Sequence, residues 1–203
     1  MDRRNFLSSL ACCALATPVS ARPAEPQPAL QPLPEGLDVQ GVPGLSWSGS
    51  GPSVIEVFDY NCPYCRNAFQ TLDARAKKGA LRLGLIDSPM LAIGSIQAAK
   101  VRQAVLQVYG PETAYDFHRQ LFAQRGAIDA EAALDVARRM ELNTSRLTQV
   151  ADSDEVRDIL IAQSRFLNKA GVAATPAFII GGNILSGWPG AEAFDSLIRS
   201  LRP

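Results

Sequence analysis

The sequence predicts an α/β domain in which an all-helical block interrupts a mixed sheet, and three observations carry that prediction. Val54, Ile55, Val57 and Phe58 form an apolar run short enough for a strand buried on both faces. Between Asp87 and Asn168 the apolar residues recur at helical spacing, with no strand pattern among them. After that block, "AFII" and "NILS" flank Gly181-Gly182 as a hairpin. The chain has 203 residues, of which 47% are hydrophobic, enough for one ordinary core.

Taken in order, the chain opens on "MDRRNFLSSLACCALATPVSA", with a basic start, an apolar stretch from Phe6 to Ala16, and Val19 and Ala21 at the spacing of a signal-peptidase site. Residues 1–21 therefore read as a cleavable export signal, and Arg3-Arg4 followed by Phe6 and Leu7 resembles the twin-arginine type. The apolar stretch is too short for a retained anchor. Cys12 and Cys13 lack the context of a lipid-attachment site, since Ser9 stands where an aliphatic residue belongs. Residues 22–52, dense in proline at first and without a period of 2 or 3.6, read as a linker.

The folded domain is expected over 53–203, with the helical insertion at about 88–168. After the first strand, Pro63 suits the first position of a helix, and Phe69 and Leu72 begin its apolar stripe up to a stop at Gly79. "ALRLGLI" alternates as a second strand. Three or four helices follow, with a restart at Pro111-Glu112 and capped openings before "DAEAALDVARRM" and "SDEVRDILIAQSRFLNKA". Ala191 to Leu201 closes the chain as a helix with Phe194, Leu197, Ile198 and Leu201 on one face.

Charge excludes some partners. Lys+Arg and Asp+Glu are each 20, and loss of the leader leaves 18 against 19, so nothing favours nucleic acid or an acidic membrane surface. No amino-terminal dimerisation domain is visible before Ser53, which favours a monomer.

Cleavage after Ala21 leaves only Cys62 and Cys65, in "FDYNCPYCRNAF". Such a pair is a redox couple, half of a metal site, a structural staple, or two core residues. A staple across so short a loop removes almost no chain entropy. Two thiolates are half of a tetrahedral set, and no further cysteine or nearby Met or His motif completes it, although a copper or zinc carrier remains the rival class. As a redox couple, Cys62 at a helix start is the nucleophile, because the free N–H groups and the dipole there favour a thiolate. Cys65, one turn in, resolves the mixed disulfide.

"EVFDYNCPYC", the helical block and "GVAATPAFIIGG" together resemble the DsbA family of exported thiol-disulfide oxidoreductases over about Ser53 to Leu201. The resemblance implies a thioredoxin-like core with the helical subdomain inserted, a Cys62-Cys65 redox disulfide, and no cofactor. It further implies cysteine-containing exported clients, a membrane redox partner that resets the dithiol, and a periplasmic or other extracytoplasmic location.

The proline matching Pro176 is cis in that family and faces the disulfide. Thr175, ahead of a residue without an N–H, would then pair through its backbone with an extended client, while Pro63 and Tyr64 border the client site. Family members that are strong oxidases carry Cys-Pro-His-Cys, whereas Tyr64 stands at that position here. The sequence leaves open whether the direction is donating, reducing or isomerising.

Glu56 lies inside "VIEVF", where an unpaired carboxylate is costly. The matching family glutamate lies beneath the disulfide and exchanges a proton with the inner cysteine; a strand-end residue reaching water is the plain alternative. His118, the one histidine, is expected to be a surface or core residue of a helix. Trp188, in "SGWPG", is a candidate to flank the site that the sequence does not place.

Overall fold

The computed structural model describes residues 29–200, so the leader expected at 1–21, the start of the expected linker and the chain end fall outside the described residues. Six described strands form one sheet: β1 (Leu30–Pro32), β2 (Ser46–Gly49), β3 (Ser53–Phe58), β4 (Arg82–Asp87), β5 (Ala177–Ile180) and β6 (Asn183–Ser186). Their order is β1-β6-β5-β3-β4-β2, with β3 and β4 parallel and every other pair antiparallel. The helices are α1 (Pro63–Lys77), α2 (Ile93–Phe122), α3 (Ala130–Arg139), α4 (Thr144–Ala151), α5 (Asp154–Ala170) and α6 (Ala191–Ser200). The expected α/β class with a helical block between two parts of the sheet is what the chain adopts.

The two-residue period of the strands divides the core. Val54 and Phe58 of β3, Leu83 and Leu85 of β4, and Phe178 and Ile180 of β5 pack with α1, most of the helical block and α6. Ile55, Val57, Ile86, Ala177 and Ile179 face the other way, onto Leu167 and Ala170 of α5 and the amino-terminal segment.

Two expectations need correction. The segment read as a linker is part of the domain from Leu30 onward: β1 and β2 are the two outer strands, Val42 is buried, and Leu33, Leu37, Val39 and Leu45 pack on the second core cluster. Edge strands of three and four residues are too short to show a period, and proline is tolerated at a sheet edge. The second correction concerns β4, whose residues from Leu83 to Asp87 are all buried rather than alternating, because helices or loops cover both its faces.

Punctuation follows local chemistry. Gly79 takes φ +65°, a left-handed conformation suited to glycine, where α1 ends. Within α2, Gly110 breaks the helix at φ 83°, ψ 177° and Pro111 restarts it. Asp129, Asn143 and Ser153 cap α3, α4 and α5 with their side chains. No described helix is long and apolar enough to cross a membrane.

Candidate active site

Cys62 is the N-cap of α1, with extended φ and ψ, and Pro63 follows at the first helical position. Its sulfur accepts the Cys65 N–H at 3.4 Å and donates to the Thr175 carbonyl at 3.3 Å. The Thr175-Pro176 bond is cis. Both cysteines are free thiols, and both are buried. The folded chain thus brings Cys62, Cys65, Pro63, Tyr64, Thr175 and Pro176 to one end of the sheet, beyond the carboxyl end of β3. Of these Pro63 and Tyr64 are exposed, Tyr64 at 65%.

The two thiols differ in protonation. Cys62 is lowered from 9.0 to about 6, first by a hydrogen bond from the Cys65 thiol, against the opposing effect of burial, and then by the N–H groups of Cys65 and Tyr64. Cys65 is pushed far up, first by burial, then by its bond to the Cys62 sulfur and by the charge of Glu56.

Glu56 is fully buried in β3, on the same face as Val54 and Phe58, and neither carboxyl oxygen has a hydrogen-bond partner. Burial, followed by the Cys62 thiolate, raises its pKa well above 4.5 and favours the protonated acid. The plain alternative, a strand-end glutamate reaching water, does not hold.

Each residue between β3 and Cys62 is tied to the helical insertion. The Asp59 carboxylate accepts the N–H groups of Met90 at 2.8 Å and Leu91 at 2.9 Å, the Ser95 hydroxyl at 2.6 Å and the Asn61 N–H at 2.7 Å. Asn61 spans to Ile128, donating to its carbonyl and accepting its N–H, each at 2.8 Å, and it also donates to Ser95 Oγ at 2.9 Å. Tyr60 is buried with its hydroxyl 3.0 Å from His118 Nδ1. His118 is a core residue, ringed edge-on by Phe58, Phe69 and Phe122, and burial holds it neutral, with its pKa well below 6.5.

Sequence reasoning did not single out Asp59, Tyr60 or Asn61. The available signal was two polar side chains directly before the motif. Trp188 packs on Phe178 and Phe194, in the first core cluster. Among the described residues, no group of three or more His, Cys, Asp or Glu side chains is placed to hold a metal ion.

The thioredoxin family model matches residues 49–200. This chain belongs to the thioredoxin family. No curated protein sequence matches it. Among solved structures, its thioredoxin fold is similar to the thiol-disulfide exchange protein alpha-DsbA2 from Wolbachia pipientis, with TM-score 0.70 and 22% identity over 77% of this chain and 87% of that one. A thioredoxin-like oxidoreductase from Silicibacter pomeroyi matches at TM-score 0.70 and 26% identity, over 78% and 92%. A periplasmic thioredoxin-like protein from Salmonella enterica serovar Typhimurium matches at TM-score 0.70 and 18% identity, over 79% and 91%. The resemblance to DsbA-like proteins drawn from "EVFDYNCPYC" and "GVAATPAFIIGG" thus recurs in the fold.

Proposed function

We propose that this thioredoxin-family chain is an exported thiol-disulfide oxidoreductase that exchanges disulfides with cysteine-containing client proteins, in the donating direction. The supporting observation is the division of labour within Cys62-Cys65: one sulfur at a helix N-terminus titrating at about 6, the other buried and held as a thiol. A thiolate exists only in the reduced protein, so stabilising it favours reduction of this chain and oxidation of the client. A stabilised reduced form is what makes DsbA itself a strong oxidant, and the thiolate of Cys62 extends the same logic to this chain.

In the oxidised chain, a client thiolate attacks the Cys62 sulfur, the Cys62-Cys65 bond breaks, and Cys65 leaves with the electron pair and takes a proton from the Glu56 acid. A second client thiolate then attacks the client sulfur of the mixed disulfide. Cys62 departs as a thiolate, and the client holds the new disulfide. Thr175, whose carbonyl already lies against the Cys62 sulfur, offers backbone pairing to the client chain beside Pro176, and Pro63 and Tyr64 border it. A membrane redox partner reoxidises the dithiol. Similar solved proteins named for thiol-disulfide exchange and for a periplasmic location support both the reaction and its compartment, as does the leader at 1–21. The chain acts as a monomer.

The test is trapping. Cys65→Ala should accumulate mixed disulfides with disulfide-bearing client proteins, as the Cys62 thiolate attacks the client disulfide and no Cys65 thiol resolves the product, whereas Cys62→Ala should trap few or none, roughly a tenfold difference or more on non-reducing gels. Equal trapping by the two variants overturns the assignment, and stoichiometric zinc or copper on the reduced protein without exchange activity favours a metal carrier instead.

A further inference from the structure

Arg66 is a half-buried cation without a counter-charge, and it stands beside the nucleophile. It follows Cys62 by four residues on α1, and its backbone N–H donates to the Cys62 carbonyl at 3.2 Å. Side chains at that spacing lie on one face of a helix, with about 5–6 Å between their Cβ atoms. Farther along the same helix Arg75 pairs with Asp195, whereas Arg66 forms no ion pair among the described residues. Its side chain makes one described hydrogen bond, from Nη1 to the carbonyl of Gln124 in the link between α2 and α3.

That bond orients the guanidinium without neutralising it. The group carries a planar fork of N–H donors that fits the two oxygens of a carboxylate, and a fork already held in place loses less freedom when it binds one. Around it lies a cavity of about 340 Å³ lined by Asn61, Pro63, Arg66, Asn67 and Gly126. Asn61 and Pro63 are the neighbours of Cys62 in the chain, so the cavity borders the redox turn itself. Gly126 adds only backbone to the lining, and a Cβ built there would meet nothing within 4 Å.

The protein's own acids do not answer this charge. Asp59 is bonded to Met90, Leu91, Ser95 and Asn61, Asp73 pairs with Lys77 and accepts the Tyr115 hydroxyl, and Asp129 caps α3 by accepting the Ala132 N–H. Nor does Arg66 serve the thiolate: the chief group that lowers Cys62 is the Cys65 thiol, and Arg66 is not among the causes. What remains is a fixed, unpaired cation in a polar cavity next to the reacting sulfur.

We propose that Arg66 and this cavity form a subsite for a carboxylate carried by the thiol substrate, so that the chain reacts faster with cysteines that have an acidic group close by. The inference rests on the function proposed above, which brings the substrate sulfur to Cys62. At about 3.3 Å per extended residue, a carboxylate one or two residues from that sulfur lies within the span of an arginine side chain. Two sources carry this chemistry: an Asp or Glu near a client cysteine, and the terminal carboxylates of glutathione.

The experiment reacts the oxidised full chain and its Arg66→Gln variant with two pairs of thiols. One pair is a single-cysteine peptide with Asp two residues to either side of the cysteine and the same peptide with Asn there; the other is glutathione and its diethyl ester. The acid-to-neutral rate ratio of the parent is divided by that of the variant, which cancels the effect of the acid on the ionisation of the substrate thiol. A half-exposed ion pair predicts a quotient of about five for at least one pair of thiols, falling toward one as salt is raised. A quotient confined to the peptides assigns the subsite to client side chains, and one confined to glutathione assigns it to the small thiol. A quotient of one for both pairs would overturn the proposal. Arg125→Gln removes an exposed cation that does not line the cavity and should keep the parent's ratios; an equal fall there would overturn the subsite in favour of a diffuse positive field. Failure of the oxidised parent to react with dithiothreitol would instead defeat the redox function on which the subsite rests.

Discussion

Cys62 and Cys65 lie one helical turn apart, yet their pKa values move in opposite directions: the Cys65 thiol, and after it the free N–H groups of the helix start, lower that of Cys62, whereas burial raises that of Cys65. Glu56 belongs to the same apolar layer. Below its ordinary 4.5 the acid is protonated in both folded and unfolded chains; as pH rises past that value the unfolded chain releases the proton while the buried Glu56 retains it, so stability is lost with rising pH until the raised folded pKa is reached. Glu56→Gln removes that loss. Its stability relative to the parent should grow steadily above about pH 4.5, as read by urea unfolding at a series of pH values. A difference that stays constant from pH 4 to 8 would mean that Glu56 ionises normally. The variant should also slow formation of the mixed disulfide between the oxidised chain and a client thiol, since the departing Cys65 loses its proton donor. These residues were legible in the sequence because each breaks a local rule: a carboxylate inside a strand, a cysteine pair at a helix start, a proline at the entry to a strand. His118 broke none, and its place among three phenylalanines emerged only from packing.

At the scale of elements, the redox turn owes its shape to the helical insertion. Asn61 mimics a strand by pairing with both the N–H and the carbonyl of Ile128, a fully buried residue in the link between α2 and α3. Asn61→Ala leaves that buried N–H without its partner, which should cost about 1–3 kcal/mol and speed amide exchange at Ile128 selectively. Unchanged exchange there would show that the insertion does not hold the turn through this side chain. None of this is visible locally, since Asn61 reaches residues 34 and 67 positions away. The long elements were legible for the opposite reason. The amphipathic helices and the Gly181-Gly182 hairpin carry their own periodicity and turn chemistry, whereas β1 and β2 are too short to carry any.

Across the whole molecule, Arg102 is the junction. It is fully buried on α2, bonds Asp87 at the end of β4 and Ser46 at the start of β2, and lies over the Phe58 ring, so one guanidinium joins insertion, sheet and amino-terminal segment. Burial raises the Asp87 pKa, and Arg102 works against that rise. Arg102→Met strands a buried carboxylate and should destabilise the fold by about 3–5 kcal/mol; Arg102→Met with Asp87→Leu, which removes both charges, should recover most of the loss in denaturant unfolding. Additive losses in the double variant would mean that the two side chains are not coupled.

The outer strands carry a consequence for how the protein is made. One stretch near the amino terminus supplies both edges of the sheet: β2 lies against β4, and β1 lies against β6 with Leu30 opposite Leu185. Of the described strands, β1 is the first that the ribosome delivers and its partner β6 is the last. Until β6 is out, β1 has nothing to pair with, and until Ile180 is out, β3 lacks the neighbour β5 on its far side. So long a wait between partners slows folding and keeps strand edges open to other chains. The sheet therefore cannot close before β5 and β6 have been made, and a chain halted anywhere in the helical insertion is an unfinished fold with open strand edges.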